Sequence, residues 1–137
     1  MIEVISDAKL FAPWLANRLG YDDVWKDSAG YGFLYNRKLV GAVVFTEFTG
    51  RDIHVHIASQ NPVWFTRPYL KFISEYPFIH CGVERVTALI DEKNKRSRRL
   101  FRGWGGCEEG RLRNYIADGQ DAIVCGMLKR ECRYLNV

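Results

Sequence analysis

Residues 52–58, Asp-Ile-His-Val-His-Ile-Ala, alternate without a break: Ile53, Val55 and Ile57 on one side, His54, His56 and Ala58 on the other. Successive side chains of a strand point to opposite faces, so this segment reads as a strand whose two faces meet different chemistry. Two runs before it, 31–36 and 38–48, are rich in β-branched, aromatic and aliphatic residues, and Asn36-Arg37 between them suits a tight turn. Thr49-Gly50 breaks the second run. Three consecutive strands in a meander follow.

The remaining elements are set by punctuation. Pro13 and Gly20 bracket a short helix over 13–19. After the loop-like Ser59-Gln-Asn-Pro62, Thr66 can cap a helix that holds Pro68 in its tolerant first turn and buries Leu70, Ile73 and Tyr76, until Pro77 ends or kinks it. Residues 83–90 form the next strand and 94–101 the next helix, stopped by Gly103 and Gly105-Gly106. Strands over 108–116 and 122–128 flank Asp118-Gly119, a hairpin signal. This order predicts one α/β (α+β) domain over residues 1–137, with a mixed, mostly antiparallel sheet of roughly six strands and helices on both faces. If 83–90 runs parallel to the strand before it, the connection through the helix near Leu70 is a right-handed crossover. Ligands in such folds lie where neighbouring strands diverge and a helix N-terminus points at the gap, which sets residues 59–66 against Asn94.

Composition agrees with a self-sufficient domain. An apolar fraction of 47% and a charged fraction of 26% supply a core without help from metal or disulfides. The first residues lack a basic stretch followed by an apolar one, and no apolar run approaches about 18 residues, so a soluble, unexported, cytoplasmic chain is expected. Cys81, Cys107, Cys125 and Cys132 form no C-x-x-C pair and the histidines no H-x-x-x-H, which predicts reduced, mostly buried thiols and no structural zinc. The net charge of +4 is all found in residues 91–113, where eight basic residues face four acidic ones. Such a field attracts phosphates, on a nucleotide cofactor or on nucleic acid, unless the run is only a solvated helix face.

Four pieces carry a likeness to a known family: Arg85-Val-Thr-Ala-Leu-Ile90, Asn94-x-x-Ser97, Glu109-Gly-Arg-Leu-Arg113 and Gly126-Met-Leu-Lys129. In that order and spacing they resemble the fifth strand, asparagine helix and closing hairpin of the GNAT superfamily of acetyl-coenzyme A-dependent N-acetyltransferases, within it the ribosomal-protein N-terminal acetyltransferase type. The resemblance implies acetyl-CoA as co-substrate and a primary amine, on a protein or small molecule, as acceptor. It implies that the cofactor contacts Ala58 and Ser59 at a strand end, Phe65, Thr66 and Arg67 across the loop and helix start, and Asn94 and Arg98 on the second helix. Asn94 would pair with the pantetheine amides, and it is equally a helix cap. Ser97 matches the serine thought to protonate the leaving thiolate in the ribosomal type, whereas the place of the tyrosine that many other members use, seven residues after Asn94, holds Phe101. The family's pyrophosphate loop, Gln/Arg-x-x-Gly-x-Gly/Ala, has its nearest counterpart in Gln60 to Phe65, where Val63 and Phe65 replace both small residues. Gly106 stands where phenylalanine is usual.

Acetyl transfer needs a neutral amine, yet a lysine amine with a pKa near 10.4 is protonated at neutral pH, so a base or a water relay must take its proton. His56 is the first candidate, with Glu47 and Glu109 as carboxylate alternatives and a hydrogen-bonded structural role as the plain reading. Two other readings stay open. One is a catalytically decayed, binding protein on this fold, since compact chains of this kind also resemble acetyltransferase-like, virion-associated proteins of tailed phages. The other is nucleic-acid binding along residues 93–113, with Phe101, Trp104 and Tyr115 available to stack. No membrane partner is expected, nucleic acid is the least favoured partner, and the chain is expected as monomer or homodimer.

Overall fold

The computed structural model describes residues 1–22 and 25–135. Among them lie seven strands, β1 (Ile2–Ile5), β2 (Ala29–Tyr35), β3 (Lys38–Thr46), β4 (Asp52–Ser59), β5 (Arg85–Asp91), β6 (Cys107–Ala117) and β7 (Gln120–Leu128), in one sheet of order β1-β2-β3-β4-β5-β7-β6. Helices α1 (Ala12–Leu19), α2 (Arg67–Glu75) and α3 (Lys95–Trp104) complete the fold. Every strand pairing is antiparallel except β4 with β5, which is parallel through the α2 crossover. The mixed sheet with helices on both faces is as expected from sequence. The extra strand is β1, which pairs Ile2 with Tyr35 and Ile5 with Gly32.

The β2–β3 turn forms because Asn36 and Arg37 both take positive φ (52° and 66°), the geometry whose twist matches the flanking strands. Strand alternation then sorts two cores. Ala42, Val44 and Ala58 meet Phe11, Ala12, Leu15 and Ala16 of the α1 region on one face. Val43, Phe45, Ile53, Val55 and Ile57 meet Leu70 and Ile73 of α2 and Phe101 and Trp104 of α3 on the other. The α2 ladder stops at Glu75 and gives way to a wider turn over Tyr76–His80, as a proline at position 77 without an N–H requires. Helix α3 runs on past the expected Phe101 to Trp104. Its cap is Gly105 at φ 135°, where a β-carbon would sit 2.5 Å from the Glu131 carbonyl oxygen. Of the four free cysteines only Cys125 is buried and Cys107 is exposed, so the thiols lie nearer the surface than expected.

Candidate functional site: a wedge between two parallel strands

β4 and β5 share only three paired positions, Asp52 with Arg85, Ile53 with Val86 and His54 with Thr87. The joined end is pinned by a polar chain across β4, β5 and β6. Thr87 donates to Asp52 Oδ1 (2.7 Å), Arg85 Nε donates to Thr87 (2.8 Å), and the Arg85 guanidinium grips both oxygens of Glu109 (2.6 and 3.1 Å). Gly126 makes this crossing possible, since a β-carbon there would lie 2.6 Å from both the Arg85 and Glu109 side chains. Glu109, its pKa lowered by this hydrogen bond, is committed to the pin and lines none of the spaces described below.

Beyond His54 the strands part, and the free edge of β4 faces α3. Ser97 Oγ donates to the Ile57 carbonyl (3.1 Å), and Arg96 Nη1 donates to the carbonyls of Ser59 (2.9 Å) and Gln60 (3.0 Å). A strand residue sends its N–H and C=O to the same side, so the Ile57 and Ser59 amide groups also point into the wedge, outside any ladder. Asn94 sits at its mouth and caps α3, its Oδ1 accepting from the Ser97 N–H (3.1 Å). Ser97 itself is buried.

Three contiguous spaces open from this wedge. A basic mouth of about 250 Å³ is lined by Arg18, Leu19, Ala58, Ser59, Asn94, Arg96 and Ser97. It shares Leu19, Asn94 and Ser97 with a narrow slot of about 30 Å³, which Tyr21, His56, Leu89 and Asp91 also line. The slot, room for a water or two, shares Tyr21, His56 and Leu89 with an open pocket of about 780 Å³ that adds Trp25, Glu47, His54 and Tyr115.

His56 lies where slot and pocket meet, stacked on Trp25 (centroids 4.4 Å apart, planes at 28°), with Nε2 2.8 Å from Thr46 Oγ1. Burial, with His54 adding to it, pushes its pKa down to about 4. It is therefore neutral at pH 7 and a weak proton acceptor. Tyr21 shares the same junction. Burial first, then the neighbouring Tyr115 and Asp91, hold its phenol above the ordinary value, so it stays a proton donor.

The loop expected to hold phosphates is closed on itself. Gln60 and Asn61 N–H donate to the Val40 carbonyl, Val63 N–H to Asn61 Oδ1, Phe65 N–H to Pro62 O and Thr66 N–H to Trp64 O. Trp64 is wholly buried, stacked on Phe33 at 4.4 Å, with its indole N–H on Ser59 Oγ (2.9 Å). Gly41 admits it, because a β-carbon there would fall inside the indole ring.

Of the residues singled out from sequence, the fold gathers His56, Ala58, Ser59, Asn94 and Ser97 on the wedge. Phe65, Thr66 and Arg67 line none of the three spaces; Phe65 packs edge-on to Trp64, and the Arg67 guanidinium lies 6.0 Å over the Tyr134 ring. Arg98 is taken up by both oxygens of Glu108 (2.8 and 3.0 Å) and by the Glu92 carbonyl (2.8 Å), an arrangement that holds Glu108 below its ordinary pKa. Phe101 and Trp104 are wholly buried, which leaves Tyr115 alone of the three proposed stacking aromatics exposed. Gly106 is explained by Phe101, whose ring occupies the space a side chain at 106 would need. Sequence reading passed over Arg18, Tyr21, Trp25 and Arg96, which carry no local motif; only the position of Arg96 inside Asn94-x-x-Ser97 marks it.

No family model and no curated protein matches the chain. Solved structures do. An acetyltransferase-assigned chain from T. thermophilus aligns with TM-score 0.61 at 20% identity over 77% of this chain, which spans 61% of that protein's length. A GNAT-family acetyltransferase from Bacillus anthracis aligns with TM-score 0.58 at 21% identity, covering 74% of this chain and 67% of its own. Mutant forms of the spermidine/spermine N-acetyltransferase SpeG from Vibrio cholerae align with TM-score 0.70 at 15% identity over 99% of this chain and 98% of theirs. The chain has the GNAT acetyltransferase fold.

Proposed function

We propose that the chain is a cytoplasmic acetyl-coenzyme A-dependent N-acetyltransferase acting on a primary amine of a protein or small molecule. One observation carries the reading: an unladdered β4 edge, faced by Asn94, leads through a slot to a roomy pocket. A pantetheine arm offers amides that pair with the Ile57 and Ser59 N–H groups on one side and the Asn94 carboxamide on the other. It enters by displacing the Ser97 and Arg96 bonds to β4, so that amide N–H groups of the ligand take over the Ile57 and Ser59 carbonyls.

With the thioester at the junction of slot and pocket, the amine approaches from the side of Glu47, whose carboxylate attracts the ammonium form. His56, neutral and bonded to Thr46, shapes this wall, while the amine's proton leaves through water in the open pocket. Attack forms the C–N bond and breaks the C–S bond. Ser97, once freed from Ile57, and Tyr21 are the two hydroxyls lining the slot that can protonate the departing thiolate. Calorimetry with acetyl-CoA, followed by free-thiol release with polyamine and peptide acceptors, tests the reading. Absence of binding at millimolar acetyl-CoA sinks it.

The inward-turned loop amides favour a second reading, a cofactor-binding protein without turnover. It predicts acetyl-CoA binding with no acetylated product detectable by mass spectrometry in a lysate.

A further inference from the structure

Two guanidinium groups from distant parts of the chain converge on a single residue. Arg18, in the last turn of α1, donates to Gln60 Oε1 (2.6 Å), and Arg96, in the first turn of α3, donates to the carbonyls of Ser59 and Gln60 (2.9 and 3.0 Å). All these acceptors are neutral. Among the described residues neither arginine has a carboxylate partner, whereas Arg85, Arg98, Arg102 and Arg111 each do. Like charges drawn together without a counter-charge repel, and a bound anion removes that repulsion. Arg18 lies 4.5 Å over the Trp14 ring, which fixes the guanidinium plane. Both arginines line the 250 Å³ mouth, which has no acidic residue in its lining and continues into the slot.

We infer that Arg18 and Arg96 form a diphosphate clamp at the mouth of the wedge, taking the place of the phosphate-binding backbone that the loop 60–66 has given up. The ligand is a diphosphate ester; under the proposed function, on which this rests, it is the diphosphate of coenzyme A. A planar guanidinium fork matches two phosphate oxygens at once, so side chains supply what Val63, Phe65 and the buried Trp64 deny to the loop amides.

The test is calorimetry on the full chain with three probes, coenzyme A, pantetheine and inorganic pyrophosphate, for the wild type, Arg18→Gln, Arg96→Gln, Arg96→Lys and, as control, Arg99→Gln on the exposed face of α3. Each charge-assisted bond lost weakens binding by about tenfold or more. Coenzyme A and pyrophosphate affinities fall by that factor in Arg18→Gln and Arg96→Gln, Arg96→Lys keeps part of the affinity, pantetheine binding falls in none of the variants, and the Arg99→Gln protein is unchanged. Equal coenzyme A affinity in all variants overturns the clamp. So does an equal loss for pantetheine, which would mean that the arginines merely hold the wedge in shape. Pyrophosphate bound through these arginines, with neither coenzyme A nor pantetheine bound, keeps the clamp and removes the acetyltransferase reading. No binding of any probe removes both.

Discussion

His56 gives the fold a specific acid sensitivity. Its imidazole is packed on Trp25, bonded to Thr46 and faced by Tyr21 and His54, and its folded-state pKa is about 4 against an ordinary 6.5. Between those values the unfolded chain takes up a proton that the folded chain refuses. Stability is therefore intact above pH 6.5, falls by up to 1.36 kcal/mol per pH unit below it, and levels off near pH 4. The gap of about 2.5 units gives a total near 3 kcal/mol, a large part of a small domain's reserve. Replacing His56 by Gln removes the titrating group while keeping a polar partner for Thr46. Urea melts of both proteins at pH 7.5, 6.5, 5.5 and 4.5 read the difference. The wild type should lose about 2.5 kcal/mol more than His56→Gln across this range. Parallel pH profiles, or a His56 NMR titration centred near 6.5, would refute the argument.

Asn94 joins a cap and a ligand group, and two substitutions part them. Asn94→Ala should cost about 1 kcal/mol of stability and weaken acetyl-CoA binding, whereas Asn94→Ser should keep the cap and lose only the binding, read by melts and calorimetry. Gly41→Ala drives a methyl into the buried Trp64 indole and should destabilise by about 1–3 kcal/mol, visible as a lower urea midpoint and a shifted tryptophan emission. Tyr21→Phe should lower kcat with little change in the acetyl-CoA Kd; an unchanged kcat would remove Tyr21 from the chemistry and leave Ser97 as the donor.

Where local pattern decided structure, the sequence was readable. The alternation of residues 52–58 fixes both faces of β4, and Asn94 with its basic helix marks the wedge. β1 was missed because Ile2 to Ile5 is too short for periodicity to show, and its pairing with β2 is a tertiary fact. The phosphate loop was judged from its missing glycines, but not how its space is used: that depends on Gly41 and Phe33, more than twenty residues upstream, making a slot for Trp64. Arg98 looked free in a basic run, yet its partner Glu108 comes from a strand that sequence alone cannot place beside it. Arg18 and Arg96 illustrate the same limit, since 78 positions separate the two side chains that meet at Gln60.

The three paired positions between β4 and β5 also divide the domain mechanically. On one side β1 to β4 form a meander with α1 against it; on the other, β5, β7 and β6 hold one another through long antiparallel ladders. Between the halves run the Arg85 pin, the α2 crossover, the shared core and the few bonds from α3 to the β4 carbonyls. In backbone pairing this seam is the weakest join in the sheet, and local opening is expected to start there. A ligand seated across it, touching β4 on one flank and α3 on the other, works as a staple. Its binding would slow amide exchange in strands it never touches, and the extent of that protection would measure how tightly the two halves are joined.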